Sequence, residues 1–174
     1  MNFSEQSLEA RNKANKMLGF IGRNVTYKSK EVVRRLYNSY VRPHLEYSIQ
    51  AWRPHFRKDI NMLEAVQRRA TRMVPYLKKL DYKDRLKELN LYSVERRYMR
   101  GDMIEVYKIL NGIDNISFNE FFEMFDTSIT RGNSYKIKMK HSRLDMRKYS
   151  FALRVIGNWN SLSDNTVTSI FRCF

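Results

Sequence analysis

Arginine is the side chain whose number and spacing here could do chemistry. Arg68, Arg69 and Arg72 lie within LEAVQRRATRMV (63–74), and Arg96, Arg97 and Arg100 within VERRYMR (94–100). A guanidinium presents a planar fork of parallel donors that matches a phosphate. Contacts of this kind position a nucleic acid without reading its sequence. Lys136, Lys138 and Lys140 alternate in SYKIKMK (134–140) and form a third basic group. Tyr135, Tyr149 and Trp159 nearby are candidates to stack on bases, although aromatic residues so spaced more often belong to a core. Arg34 and Arg35 could extend a basic face. Against all of these stands the plain reading of a charge run as solvated helix surface.

Catalytic chemistry is not in view. The chain has no phosphate-cradling glycine loop of the Gly-x-x-x-x-Gly-Lys-Ser/Thr type and no Gly-x-Gly-x-x-Gly. No Ser, His and Asp arrangement recommends itself, and no acidic pair is placed for two-metal phosphoryl transfer. His44 beside Glu46, and Asp81 near Asp84, come nearest and read as surface or cap residues. The single cysteine, Cys173, builds neither a disulfide framework nor a zinc site, and His44, His55 and His141 are too scattered for a metal. The expectation is therefore no catalytic residue, no metal and no cofactor.

The charge balance agrees with a polyanionic partner. Lys and Arg number 33 against 18 Asp and Glu, a formal net charge of +15 over 174 residues. Residues 1–110 hold 24 basic and 12 acidic side chains, and the rest hold 9 and 6, so the excess is spread through the chain. Such a surface attracts polyanions, nucleic acid most often; an anionic membrane or an acidic protein would also answer. Hydrophobic residues make up 43% of the chain, with 10 Phe and 11 Tyr, enough for a packed core. No apolar run approaches the ~20 residues of a membrane span, and residues 1–20 lack the apolar centre of a secretory leader. An intracellular protein without a membrane partner is expected.

Periodicity predicts the elements that carry these groups. A helix is expected over 4–21, with Ser4 as N-cap, a ragged stripe of Leu8, Asn12, Met17, Leu18 and Ile21, and Gly19 and Gly22 weakening its end. NVTYKSKE reads as a loop with Ser29 capping the next helix. Residues 30–50 follow a helical period that Pro43 must kink or split, and Pro54 marks a turn. The helix over 58–74 buries Ile60, Leu63, Val66, Ala70, Met73 and Val74 and should stop before Pro75. A short helix follows over 82–91, then a longer one over 93–112, capped by Ser93 and ended by Gly112. Gly101 in its middle suggests a close helix contact or a break. Residues 115–125 should place Phe118, Phe121, Phe122 and Phe125 inward, and SYKIKMK reads as a short strand or extended arm. KYSFALRVIGNWNSL returns to helical spacing, and SIFRCF (169–174) is an apolar end. The fold class is mainly α: a helical bundle with a small, partly extended C-terminal part.

Four segments go further: LYNSYVRPHLEYSIQAW (36–52), LEAVQRRATRMV (63–74), RRYMRGDMIEVYKILNG (96–112) and DMRKYSFALRVIGNWNSL (145–162). Together, and in order from about residue 11 to the end, they closely resemble the thumb and post-thumb region of the reverse transcriptase of non-LTR retrotransposons. The jockey and chicken-repeat types of LINE element are most alike. The character of the chain changes after Gly112, which divides it into a helical domain over 1–112, thumb-like by the resemblance, and an aromatic and basic appendage over 113–174, with a core of its own or one shared with the first. The resemblance implies a partner, the fingers–palm unit that carries the catalytic aspartates, and a template–primer ligand such as an RNA–DNA hybrid. Arg68, Arg69 and Arg72 become expected backbone contacts, and Arg96, Arg97 and Arg100 weaker ones. Gly101, Trp159 and Leu162 become packing residues. Nuclear localisation follows by the same inference. The chain departs from the family in lacking the aromatic-Ala-Asp-Asp palm signature, in Ser163 where proline usually follows WNSL, in Ser48 where HLEYC is usual, and in a C-terminus without the FKRRLD-like basic run. A non-catalytic fragment of an RNA-directed DNA polymerase is the expectation; a structural remnant that folds only with its palm is the alternative.

Overall fold

A computed structural model describes residues 3–125 and 133–169. Among these the chain is mainly α-helical, and the only strand-like pairing is one isolated bridge. It divides into two compact units, Met1–Tyr98 and Met99–Phe174.

In the first unit, α1 (Phe3–Asn24) buries Ser7, Ala10, Ala14, Leu18 and Ile21. The spacing of three and four residues is that of one helical face, but the stripe is made of small residues and differs from the expected one. Leu8 is exposed. Small side chains let α1 lie close along α5 (Arg57–Thr71), since interhelical distance follows the size of the residues at the contact. Ser4 lies inside the first turn of α1, and its hydroxyl donates to Asp59 Oδ2 at 2.6 Å rather than capping. Gly19 and Gly22 do not end the helix.

Ser29 caps α2 (Lys30–Leu36) by accepting from the Val32 amide at 3.3 Å. Pro43 has no N–H to continue an α-helical ladder. The chain answers with a π-helical turn over Tyr37–Val41, in which the Arg42 amide reaches back to the Tyr37 carbonyl. Two short helices follow, α3 (Arg42–Glu46) and α4 (Ile49–Trp52), joined through Ser48 at φ +51°. Helix α5 stops at Thr71, and Pro75 instead opens a 3-10 turn over Pro75–Leu77. Helix α6 (Tyr82–Glu88) ends with Asn90 left-handed at φ +49°, the Asn90 amide bonding Lys87 O and the Leu91 amide bonding Leu86 O. Helix α7 (Val94–Leu110) is capped by Ser93, which accepts from the Arg96 amide, and closes the same way at Gly112.

The core of this unit joins Leu18, Ile21, Tyr37, Val41, Leu45, Leu63, Val66 and Tyr98. Each such side chain contributes roughly 1.5–3 kcal/mol on leaving water. A satellite of Val33, Val74, Leu77 and Leu89 seats the 3-10 turn and the end of α6. Gly101 marks neither a break nor a close contact: α7 runs through it, and a Cβ there would meet nothing within 4 Å.

The second unit gathers around Trp159, Ile156, Val106, Phe122 and Ile137. Helix α8 (Phe118–Phe121) buries only part of its aromatic set: Phe122 just after it is buried, Phe118 half so, while Phe121 and Phe125 are each 40% exposed. The extended reading of SYKIKMK is seen as a bridge between Ile137 and Met124, flanked by Phe125 N–H to Lys136 O and Lys138 N–H to Glu123 O, both 2.8 Å. Ile137 points inward and Lys138 outward, but the alternation of a strand goes no further, since Met139 is 69% exposed. Trp159 is fully buried and donates to the Tyr135 carbonyl at 2.8 Å, so it packs the core and is not a stacking surface. Asn160 clasps Ile137 through both its amide N–H and its carbonyl. Short helices α9 (Asp145–Lys148), α10 (Phe151–Arg154), α11 (Ile156–Asn160) and α12 (Asp164–Ser169) complete the unit. Within it, Arg154 pairs with buried Asp102 at 3.0 Å. Arg131 and the apolar end from residue 170 onward lie outside the described residues.

Candidate nucleic-acid interface

Helix α5 decides where the first three arginines go. Its buried face contains polar residues that periodicity missed: Glu64, Gln67 and Thr71 are buried beside Leu63, Val66 and Ala70. Gln67 is the centre of an internal network. Its carbonyl accepts from the Tyr37 hydroxyl and from Arg97 Nη1, each at 2.6 Å. Its amide donates to the Tyr82 hydroxyl at 3.0 Å and to the Tyr92 carbonyl at 2.9 Å. The Tyr82 hydroxyl donates in turn to Glu64, whose other oxygen accepts the Val94 amide at 2.8 Å.

Arg97 belongs to this network and leaves the set of candidate contacts. Its side chain is 6% exposed and pairs with Glu46, which Arg42 also holds at 2.8 Å. Its remaining donors go to Gln67, to the Tyr92 carbonyl at 2.6 Å and to the Tyr37 hydroxyl at 3.1 Å. Burial alone would lower the Arg97 pKa, but the facing Tyr37 and Glu46 outweigh it and hold it raised. Burial pushes the Tyr37 phenol up to about 12.

The exposed arginines divide between two concavities of the first unit. Arg69 and Arg72 face one of about 510 Å³, beside the C-terminal end of α1. Arg23, Lys28 and Lys78 line it too, and no acidic residue does. Gly19 and Gly22 form part of the wall. Lys28 Nζ donates to the Gly22 carbonyl at 3.0 Å. The other four cations form no ion pair among the described residues. Arg85, on α6, is buried and held by Thr71 Oγ1 at 3.0 Å and the Leu80 carbonyl, with no carboxylate paired to it among the described residues. Its pKa is lowered, by burial first and then by Arg72.

Basic residues at helix C-termini also complement the helix dipole, a benefit of about 0.3–1 kcal/mol each. That accounts for Arg23 ending α1 and Arg69 ending α5. It does not account for five cations converging without a carboxylate. Arg23, Lys28 and Lys78 were not visible as site residues in the sequence, because only the fold brings the end of α1, the loop after it and the end of the 3-10 turn to Arg69 and Arg72.

Arg68 faces the second concavity, of about 900 Å³, together with Arg96. Arg68 lies over the Tyr82 ring at 5.0 Å and Arg96 over the Tyr92 ring at 5.1 Å. Arg100, in the second unit, is exposed. The lysine arm there is partly neutralised: Glu123 pairs with Lys138 at 2.7 Å and Lys140 at 3.4 Å, and its carboxyl is held below the ordinary range by the Lys138 hydrogen bond. Lys136 is half-buried. Among the described residues no cluster of His, Cys, Asp or Glu could hold a metal ion, and no helix is long and apolar enough to cross a membrane. Comparison with protein-family models, with curated proteins and with solved structures returns no match.

Proposed function

We propose that this chain is a non-catalytic, nucleic-acid-binding part of a retrotransposon-type reverse transcriptase, a thumb that grips the backbone of a template–primer duplex, RNA–DNA hybrid by preference. The observation that carries the reading is the cavity lined by Arg23, Lys28, Arg69, Arg72 and Lys78 without an acid. The motif resemblance over the helical segments supplies the class of ligand. Polymerisation would belong to a fingers–palm unit, since these 174 residues hold no palm signature.

The test is a salt titration of hybrid-duplex binding by the full chain and by an Arg69→Ala, Arg72→Ala variant. Both side chains are exposed, so the variant should keep its fold, checked by circular dichroism. Removing two phosphate contacts should weaken binding and flatten the log K against log salt slope by about 2. An unchanged affinity and slope in the folded variant would sink the proposal.

A second reading is an interaction piece that completes itself against a palm. It is favoured by Phe121, Met124, Phe125, Leu144 and Met146, all exposed in the second unit. A sharp cooperative melt of the isolated monomer would count against it.

A further inference from the structure

We infer that the Arg68–Arg96 concavity is a platform for an unpaired nucleobase, distinct from the cationic cavity that would hold duplex phosphates. The inference rests on the chain being a nucleic-acid binder and adds a second mode of recognition: single-stranded nucleic acid at a junction with duplex.

The chemistry differs from that of the first cavity. Two aromatic–guanidinium pairs line one groove: Arg68 lies 5.0 Å from the Tyr82 ring centroid and Arg96 5.1 Å from that of Tyr92, while buried Arg85 lies 5.6 Å from the Tyr82 ring and leaves Tyr92 the more open of the two. Every base has a π-face, and both aromatic rings and guanidinium planes stack on it whatever its identity. Asn61 and Asn90 share the lining and bring amide donors and acceptors suited to a base edge. Volume agrees: about 900 Å³ lies within the range of roughly 300–1,000 Å³ common for clefts that take small ligands.

The carboxylates of the lining do not oppose an anionic strand. Glu64 is taken up by the Tyr82 hydroxyl and the Val94 amide, and Glu95 pairs with Arg57 at 2.9 Å. Arg68 and Arg96 form no ion pair among the described residues. Tyr92 is 51% exposed, while its own carbonyl is fastened from inside by Gln67 and Arg97. The ring therefore projects from a held backbone, which lowers the entropy lost when a base settles on it. A duplex, whose bases are already stacked, offers this groove nothing but phosphate.

The experiment compares a blunt hybrid duplex with the same duplex bearing a short single-stranded extension. A fluorescent purine analogue in the extension reports stacking. The full chain should bind the extended substrate about tenfold more tightly, with quenching of the analogue. Tyr92→Ser should abolish both the preference and the quenching and leave blunt-duplex affinity unchanged. Tyr92→Phe, which keeps the ring, should retain both. The Arg69→Ala, Arg72→Ala variant should weaken both substrates equally and keep the preference. Equal affinity for the two substrates, or a preference that survives Tyr92→Ser, overturns the platform and leaves the duplex grip standing. Failure of the wild-type chain to bind either substrate overturns both.

Discussion

At the scale of the residue, identical arginines have opposite assignments. Arg96 and Arg97 are neighbours in sequence, yet one lies in the open over Tyr92 and the other is walled in by Tyr37, Glu46 and Gln67. Removing a partner from a buried ion pair leaves a charge without compensation. Arg97→Met should therefore destabilise the chain by about 3 kcal/mol, the low end of such losses because Arg42 stays on Glu46. Arg96→Ala should shift stability by less than about 0.5 kcal/mol. Urea unfolding of both variants checks the contrast, and equal effects would refute the division. The sequence could not separate the two. Helical periodicity puts both at the margin of an apolar stripe, and what distinguishes them is Glu46 and Tyr37, which reach Arg97 only through the fold. The same holds for Gln67 and Glu64, polar residues made tolerable in a core by distant partners.

At the scale of the element, local signals were legible and compact contacts were not. Ser29, Ser93 and Gly112 act where the sequence placed them, because capping depends on residues within one turn. The buried stripe of α1 differs from the one the sequence predicts because Ser7, Ala10 and Ala14 carry little hydrophobic signal, although their smallness suits the approach of α5. The π-helical turn before Pro43 is one of several ways to absorb a missing N–H, and the sequence left the choice open between a kink and two helices. Gly101 yields a sharp expectation. It lies inside α7 with open space where a Cβ would go, so Gly101→Ala should stabilise the chain by about 1 kcal/mol through backbone entropy alone. That corresponds to a rise of roughly 2–4 °C in Tm, measurable by thermal denaturation. A fall in Tm would show that the glycine has a use the helix does not reveal.

At the scale of the whole molecule, a net charge of +15 is held together with a core that encloses the phenols of Tyr37 and Tyr98. Burial raises Tyr37 to about 12 and also raises Tyr82 and Tyr98. The neutral phenol is the form the fold prefers. This contribution to stability is therefore complete below the unfolded value of about 10 and is lost as pH rises through the folded one. Urea midpoints should hold level up to about pH 10 and decline from there towards about 12; a level profile across that window would contradict the burial. The mainly helical class was legible from periodicity. The sorting of one arginine run into two cavities was not, because it depends on which helix lies against each side of α5. The interior network ends on the carbonyl of Tyr92, and that bond is indifferent to what side chain the residue carries. Exchanging the ring for another flat group leaves both of those donors on the same carbonyl, so the platform's surface can be altered without disturbing the network that anchors it.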